Sequence, residues 1–133
     1  AVSIVPTTTG AAIATTIVLP ELKGKMDGMA IRVPIPAGSI VDFVVQTEKP
    51  ITKESVNKAF EEAAESDKMK GILGTTDEEL VSADIIGMKF SSLVDLESTM
   101  VIGDHAVKVL SWYDNEWGYA LRCVDLAAYV SKA

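Results

Sequence analysis

The stretch TMVIGDHAVKVLSWYD, residues 99–114, limits the fold more than any other part of the chain. Two runs rich in Val, Ile and Leu flank Gly103-Asp104, a turn-forming pair, so they predict neighbouring antiparallel strands in a hairpin. Strands with an apolar face need a second layer to cover it. That layer is legible after Thr52, which can cap a helix, where Val56, Ala59, Phe60, Ala63 and Ala64 recur at i, i+3, i+4, i+7 and i+8.

The remaining elements follow from similar patterns. In SIVDFVVQTE, residues 39–48, Val41, Phe43, Val45 and Thr47 alternate with Ile40, Asp42, Val44 and Gln46, the period of a strand, and Pro50 ends it. MKGILG (69–74) and KFSSLVD (89–95) also read as strands, and MAIRVPI (29–35) as a short buried one. After an extended entry, AVSIVP, the Thr-Gly-Ala-Ala of TGAAIATTIVLPEL predicts a helix start, with Pro20 near its end and KGKMDGM as a turn-rich link. TTDEEL resembles a capping box from Thr76 to Glu79 and predicts a turn of helix. A closing helix is expected from about Asn115 to Ser131, with Leu121, Val124, Ala128 and Cys123, Ala127, Val130 facing inward. Together these elements predict an α+β two-layer domain, its mixed and largely antiparallel sheet covered by helices on one face.

Composition narrows the function. The 133 residues are 48% apolar and 23% charged, enough for one domain with a core. No apolar window is long enough to span a membrane and no leader pattern is present, so the expected setting is soluble and cytoplasmic, with no membrane partner. A net charge of -7 argues against a nucleic-acid partner, which would require a basic face. One cysteine, Cys123, and one histidine, His105, build neither an internal disulfide nor a structural zinc site.

Several residues point to chemistry. PTTTGAA sets three hydroxyls and a glycine at a predicted helix start, where free N–H groups and the positive dipole end suit an anion; the same hydroxyls also serve as ordinary caps. Arg32 lies within the apolar run MAIRVPI and always carries its charge, so it needs either an internal carboxylate, Asp42 or Asp125, or a ligand phosphate or carboxylate. Asn115 offers the donor and acceptor that complement a carboxamide, and equally suits a helix cap. Cys123 reads as a buried inert thiol and His105 as a solvated turn residue, so neither completes a catalytic pair.

In order along the chain, PTTTGAA, LPELKGKMDGMAIRVP, MKGIL, STMV and VKVLSWYDNEWGYALRCVDLAAYV resemble the phosphorylating glyceraldehyde-3-phosphate dehydrogenases. The resemblance covers nearly the whole chain and corresponds to the later part of that family's C-terminal catalytic domain. Residues 1–133 are therefore expected to form a single, partial catalytic domain. The family's Rossmann domain, with its glycine-rich fingerprint, has no counterpart in these residues, nor does the Ser-Cys-Thr-Thr-Asn segment bearing the nucleophile.

By resemblance, Thr9 and Gly10 of PT-x-TGAA and Arg32 of RVP bind inorganic phosphate and substrate phosphate. Asn115 of YDNE holds the nicotinamide carboxamide and Tyr119 lines the same pocket, while Trp112, Tyr113 and Trp117 brace the corner. The implied cofactor is NAD or NADP, and the implied assembly a homotetramer. The implied chemistry, in glycolysis or carbon fixation, is oxidation of an aldehyde phosphate through a thiohemiacetal, hydride transfer, and attack of phosphate on the thioester. No catalytic residue and no metal ligand falls on this chain, so it is expected to be inactive alone. The chain departs from the family where RVPIPAGS carries Ile35, Ala37 and Gly38 in place of Thr and of an Asn-Val-Ser segment. An erythrose-4-phosphate dehydrogenase shares the motif order, and a non-catalytic phosphate-binding or assembly module is the reading from another class.

Overall fold

Residues 2–132 are described by a computed structural model, whose contacts gather in two units, Ala1–Pro36 and Ala37–Ala133. In the first, strand β1 (Val5–Thr8) leads through Thr9 and Gly10 into helix α1 (Ala11–Val18). The helix stops two residues before Pro20, which opens a 3₁₀ turn over Pro20–Leu22. The chain returns as β2 (Met29–Arg32), antiparallel to β1 with Val5 opposite Arg32 and Thr8 opposite Met29. MAIRVPI therefore forms a strand over its first half, but not a buried one. Met29 and Ile31 are 61% and 60% exposed, because a ribbon of two short strands has no second layer within its unit.

The second unit holds a four-stranded sheet. Its elements are β3 (Ser39–Gln46), helix α2 (Lys53–Glu65), β4 (Leu73–Thr76), β5 (Ser92–Ile102), β6 (Ala106–Tyr113) and helix α3 (Trp117–Val130). The strand order is β3-β6-β5-β4, antiparallel throughout except for the parallel β4–β5 pair. This is the expected α+β class. The hairpin turns at Gly103, whose φ of +64° is cheap only for glycine.

Helix α2 covers one face of this sheet. Val56, Phe60, Ala63 and Ala64 pack against Leu73, Val94, Val107 and Val109, with Val45, Ile51, Leu96 and Val101 at the margin. Each Val, Leu, Ile or Phe among them contributes about 1.5–3 kcal/mol when fully buried. Ala59, expected on this stripe, is exposed at its border. Thr52 caps α2 as expected: its hydroxyl accepts the Ser55 N–H at 3.2 Å and Ser55 Oγ accepts the Thr52 N–H at 2.9 Å.

Three expectations need correction. KFSSLVD and TMVI are one strand, β5, interrupted where the register jumps from Asp95 opposite Leu110 to Met100 opposite Lys108. Asp95, buried, closes this bulge by accepting the backbone N–H and the hydroxyl of Ser98 at 2.9 and 3.0 Å. Helix α2 ties to it as well, through Asn57 Nδ2 to the Leu96 carbonyl and Lys53 Nζ to the Glu97 carbonyl, both at 2.9 Å.

TTDEEL makes no helical turn. Thr75 and Thr76 end β4, the Glu78 N–H settles on the Thr76 hydroxyl, and the 3₁₀ turn falls at Ser82–Ile85, started by Asp84 accepting the Val81 N–H. Ile85 inserts fully buried there, and Gly38 answers it: at φ +88°, an added Cβ would stand 3.1 Å from the Ser82 carbonyl oxygen.

The inward face expected of α3 is open instead. Val124 is 65% exposed, Cys123 and Val130 are exposed too, and only Leu121 of the residues named is half-buried. The helix is held near its start, where Arg122 donates to Ser91 Oγ at 3.1 Å, and its remaining apolar residues find no surface among the described residues of the unit. Cys123 is thus an exposed thiol rather than a buried one.

Candidate functional site

The expected site residues fall into two groups, one in each unit. In Ala1–Pro36 the link from β1 to α1 places Thr9 and Gly10 at a helix mouth. Thr9 Oγ1 accepts the Ala11 N–H at 3.2 Å, while Gly10, the residue at the cap position, offers no side chain. No acidic residue lies in the first turn of α1 to occupy the remaining N–H groups. The next hydroxyls are spent within the helix: Thr15 and Thr16 donate to the Ala11 and Ile13 carbonyls. Gly10 has φ −83° and a Cβ added there would meet nothing within 4 Å, so neither backbone geometry nor packing inside the chain requires glycine.

Arg32 ends β2, opposite Val5. Three register steps, about 10 Å at the rise of a strand, separate that pair from Thr8 opposite Met29, beside which Thr9 and Gly10 lie. The structure therefore brings Thr9 and Gly10 together and sets the Arg32 backbone at the other end of the same ribbon. Its guanidinium is not buried, contrary to the expectation from its apolar neighbours, and it makes no ion pair among the described residues. Both carboxylates considered as its partners are already engaged: Asp42 by Lys108 at 2.8 Å and Asp125 by Arg122 at 2.7 Å.

In Ala37–Ala133 the second group sits where β6 passes into α3. Asp114, which the sequence reading did not single out, organises this corner. It is 5% exposed; Oδ1 accepts the N–H groups of Glu116 and Trp117 at 2.9 and 2.8 Å, and Oδ2 accepts that of Gly87 at 2.9 Å. The hydrogen bond from Gly87 and then that from Trp117 hold its carboxyl below the usual aspartate range, against the opposing effect of burial. An aspartate just ahead of a helix is a favoured cap, and that signal was available in YDNE.

The N–H groups of Glu116 and Trp117 at the start of α3 go to Asp114, and Asn115 caps nothing. Its amide is exposed, with Oδ1 3.4 Å from Ser39 Oγ, and its –NH₂ group makes no hydrogen bond among the described residues. Tyr119, four residues on, is 73% exposed. Of the rings expected to brace the corner, Trp112 lies within the sheet between Ile40 and Leu93, Tyr113 is half-buried opposite Ser39, and Trp117 is not a brace, being 51% exposed. His105 is likewise not simply solvated: Nδ1 lies 2.9 Å from the Thr47 carbonyl, tying the hairpin turn to the end of β3.

These two arrangements can hold an oxyanion and a carboxamide, respectively. Cys123 lies beyond one end of β6 and His105 at the other, so they form no nucleophile–base pair. No helix is long and apolar enough to cross a membrane among the described residues.

Comparison with known proteins gives these residues a context. The family described as "Glyceraldehyde 3-phosphate dehydrogenase, C-terminal domain" matches residues 1–115. The chain is 58% identical over 130 residues to a glyceraldehyde-3-phosphate dehydrogenase of Geobacillus stearothermophilus, covering 98% of this chain and 38% of that protein. It is 57% identical to glyceraldehyde-3-phosphate dehydrogenase 1 of Bacillus subtilis, with the same coverage. With the enzyme of Streptomyces coelicolor it shares 53% identity, covering 98% of this chain and 39% of the other. The chain thus spans about two fifths of the length of the curated relatives it matches.

Proposed function

The chain belongs to the glyceraldehyde-3-phosphate dehydrogenase family, as a stretch of its C-terminal domain, and from that premise we propose that residues 1–133 form part of the catalytic domain of an aldehyde-phosphate dehydrogenase using NAD or NADP. In this reading Thr9, Gly10 and Arg32 bind phosphate, inorganic and substrate-borne, and Asn115 and Tyr119 meet the nicotinamide. A Rossmann domain, the nucleophile and its base come from the rest of the parent enzyme, a cytoplasmic homotetramer. The chain itself supplies anion binding and a wall of the cofactor pocket.

The observation that carries this reading is the guanidinium of Arg32, exposed and without an ion pair among the described residues, and so open to an incoming anion. A side chain that cannot lose its proton has no carboxylate among the described residues, and both acids first considered for it are bound elsewhere. The open helix mouth at Gly10 supports the same reading, since a missing side chain lets an oxyanion approach backbone N–H groups directly. Asn115 fits a nicotinamide: it has a free amide donor and an acceptor engaged only at 3.4 Å, the two functions a carboxamide pairs with. When bound, the nicotinamide accepts hydride from the substrate carbon; the part of Asn115 is to fix the ring by its amide.

Titration calorimetry with inorganic phosphate tests the anion site. Binding in the millimolar range is expected, with Arg32→Ala weakening it at least about tenfold, the worth of one charge-assisted pair. No heat of binding at millimolar phosphate would refute the assignment. The purified chain should also produce no NADH from an aldehyde phosphate.

A further inference from the structure

Helix α3 meets the rest of its unit along one stripe. From residue 114 to residue 130, only Asp114, Gly118, Leu121 and Arg122 are buried or half-buried. Asp114, Gly118 and Arg122 recur at i, i+4 and i+8, a single helical face. The Gly118 N–H donates to the Asp114 carbonyl at 3.1 Å, so the helical winding already reaches back to Asp114. All three residues meet one short segment, Gly87–Ser91, which lies between the 3₁₀ turn and β5. Asp114 Oδ2 accepts the Gly87 N–H at 2.9 Å. At Gly118 an added Cβ would stand 3.5 Å from the Phe90 carbonyl oxygen and 3.9 Å from Ser91 Cα, so α3 lies directly on the backbone of the segment. Arg122 Nη1 donates to Ser91 Oγ at 3.1 Å, and Asp125 holds the guanidinium in that orientation by accepting from Nε at 2.8 Å.

We propose that Gly87–Ser91 is a positioning strap for the nicotinamide contacts, with Gly118 and Arg122 as positioning residues that fix the rotation of α3 about its own axis. The role rests on the reading of Asn115 and Tyr119 as those contacts. Both are exposed, each one residue on from a member of the strapped stripe, and so about 100° round the same helix. Whatever turns the stripe turns them. A rotation of about 20° would carry a side chain at a radius of about 5–6 Å through about 2 Å, a displacement large enough to misalign a bound ring.

Nuclear magnetic resonance of the intact 133-residue chain tests this with two readouts. The phase of the residual dipolar couplings along α3 reports its rotation against the sheet, and the shift of the Asn115 and Tyr119 side-chain resonances on adding NAD reports the contacts. Ser91→Ala should change the phase and weaken the NAD response at least about fivefold, the worth of one hydrogen bond, whereas Ser91→Thr, which keeps the hydroxyl, should restore both. Gly118→Ala, whose methyl fits, should change neither, and Gly118→Leu, which wedges α3 off Phe90, should change both. Thr52→Ala, which loses the α2 cap and so lowers stability, should leave both readouts as they are. An unchanged phase and NAD response in Ser91→Ala overturn the proposal, as does an equal loss in Thr52→Ala, which would make the effect one of stability alone. If NAD shifts neither Asn115 nor Tyr119 in the unchanged chain, the cofactor reading falls, while the phase of α3 without nucleotide judges the strap by itself.

Discussion

The two units differ in what holds them. Every fully buried residue among those described, from Gly38 to Gly118, belongs to Ala37–Ala133; Ala1–Pro36 has none. The first unit is an eight-residue helix and a pair of four-residue strands, each marginal alone in water. Yet Thr9, Gly10 and Arg32 all lie in it. Asn115 and Tyr119, in contrast, rise from a corner clamped by three hydrogen bonds to Asp114. The difference teaches that the two proposed groups of binding residues, one in each unit, are prepared in different ways. Asn115 and Tyr119, proposed for the cofactor, are held in place by their sheet, whereas Thr9, Gly10 and Arg32, proposed for the anion, sit on a unit with little buried structure to hold it, as ligand-binding segments commonly do.

The largest test of this contrast is a cavity. Leu73→Ala should cost about 2–5 kcal/mol in urea denaturation, whereas Ile31→Ala, on the exposed ribbon, should stay within about 0.5 kcal/mol. Similar losses at both positions would break the comparison. Next in size, Asp114→Ala should cost about 1–3 kcal/mol by stranding the N–H groups of Gly87, Glu116 and Trp117.

The pH dependence of that change has a definite sign. Because the folded carboxyl of Asp114 is lowered, its contribution is complete above the unfolded aspartate range and is lost as pH falls through the folded value. Acid titration of stability should therefore be shallower in Asp114→Ala than in the parent chain. Smallest are two glycine substitutions that sharpen the contrast. Gly38→Ala should cost about 1 kcal/mol or more, since φ is +88° and Ser82 blocks the Cβ. Gly10→Ala, with open space and φ −83°, should leave stability within about 0.5–1 kcal/mol while weakening phosphate binding by calorimetry.

Periodicity made the second unit legible. The alternation in SIVDFVVQ, the turn at Gly103 and the i, i+3, i+4 stripe after Thr52 each report a local rule, and each element formed where that rule placed it. Burial was read less well. MAIRVPI and the closing helix are apolar enough to be interior, but hydropathy states only that a surface favours cover, not that a neighbour within reach supplies it; Ile31 and Val124 lie open. Of the site, the residue types at Thr9, Arg32 and Asn115 were readable from their chemistry and motifs. The local part of Asp114, holding the N–H groups of Glu116 and Trp117, was readable in YDNE; its tie to Gly87, 27 residues away in sequence, was not, because only the fold brings the two together.

The bulge in β5 has an arithmetical consequence. Five steps along β5 match two along β6 between Asp95 and Met100, so three surplus residues are spliced in, and an odd splice reverses which side of the pleat each later position takes. Even-numbered Val94 and odd-numbered Val101 can therefore share the layer under α2. Evolution or engineering can lengthen or shorten this loop in pairs without disturbing that layer, whereas a change of one residue would turn Met100 and Ile102 inward and expel Val101.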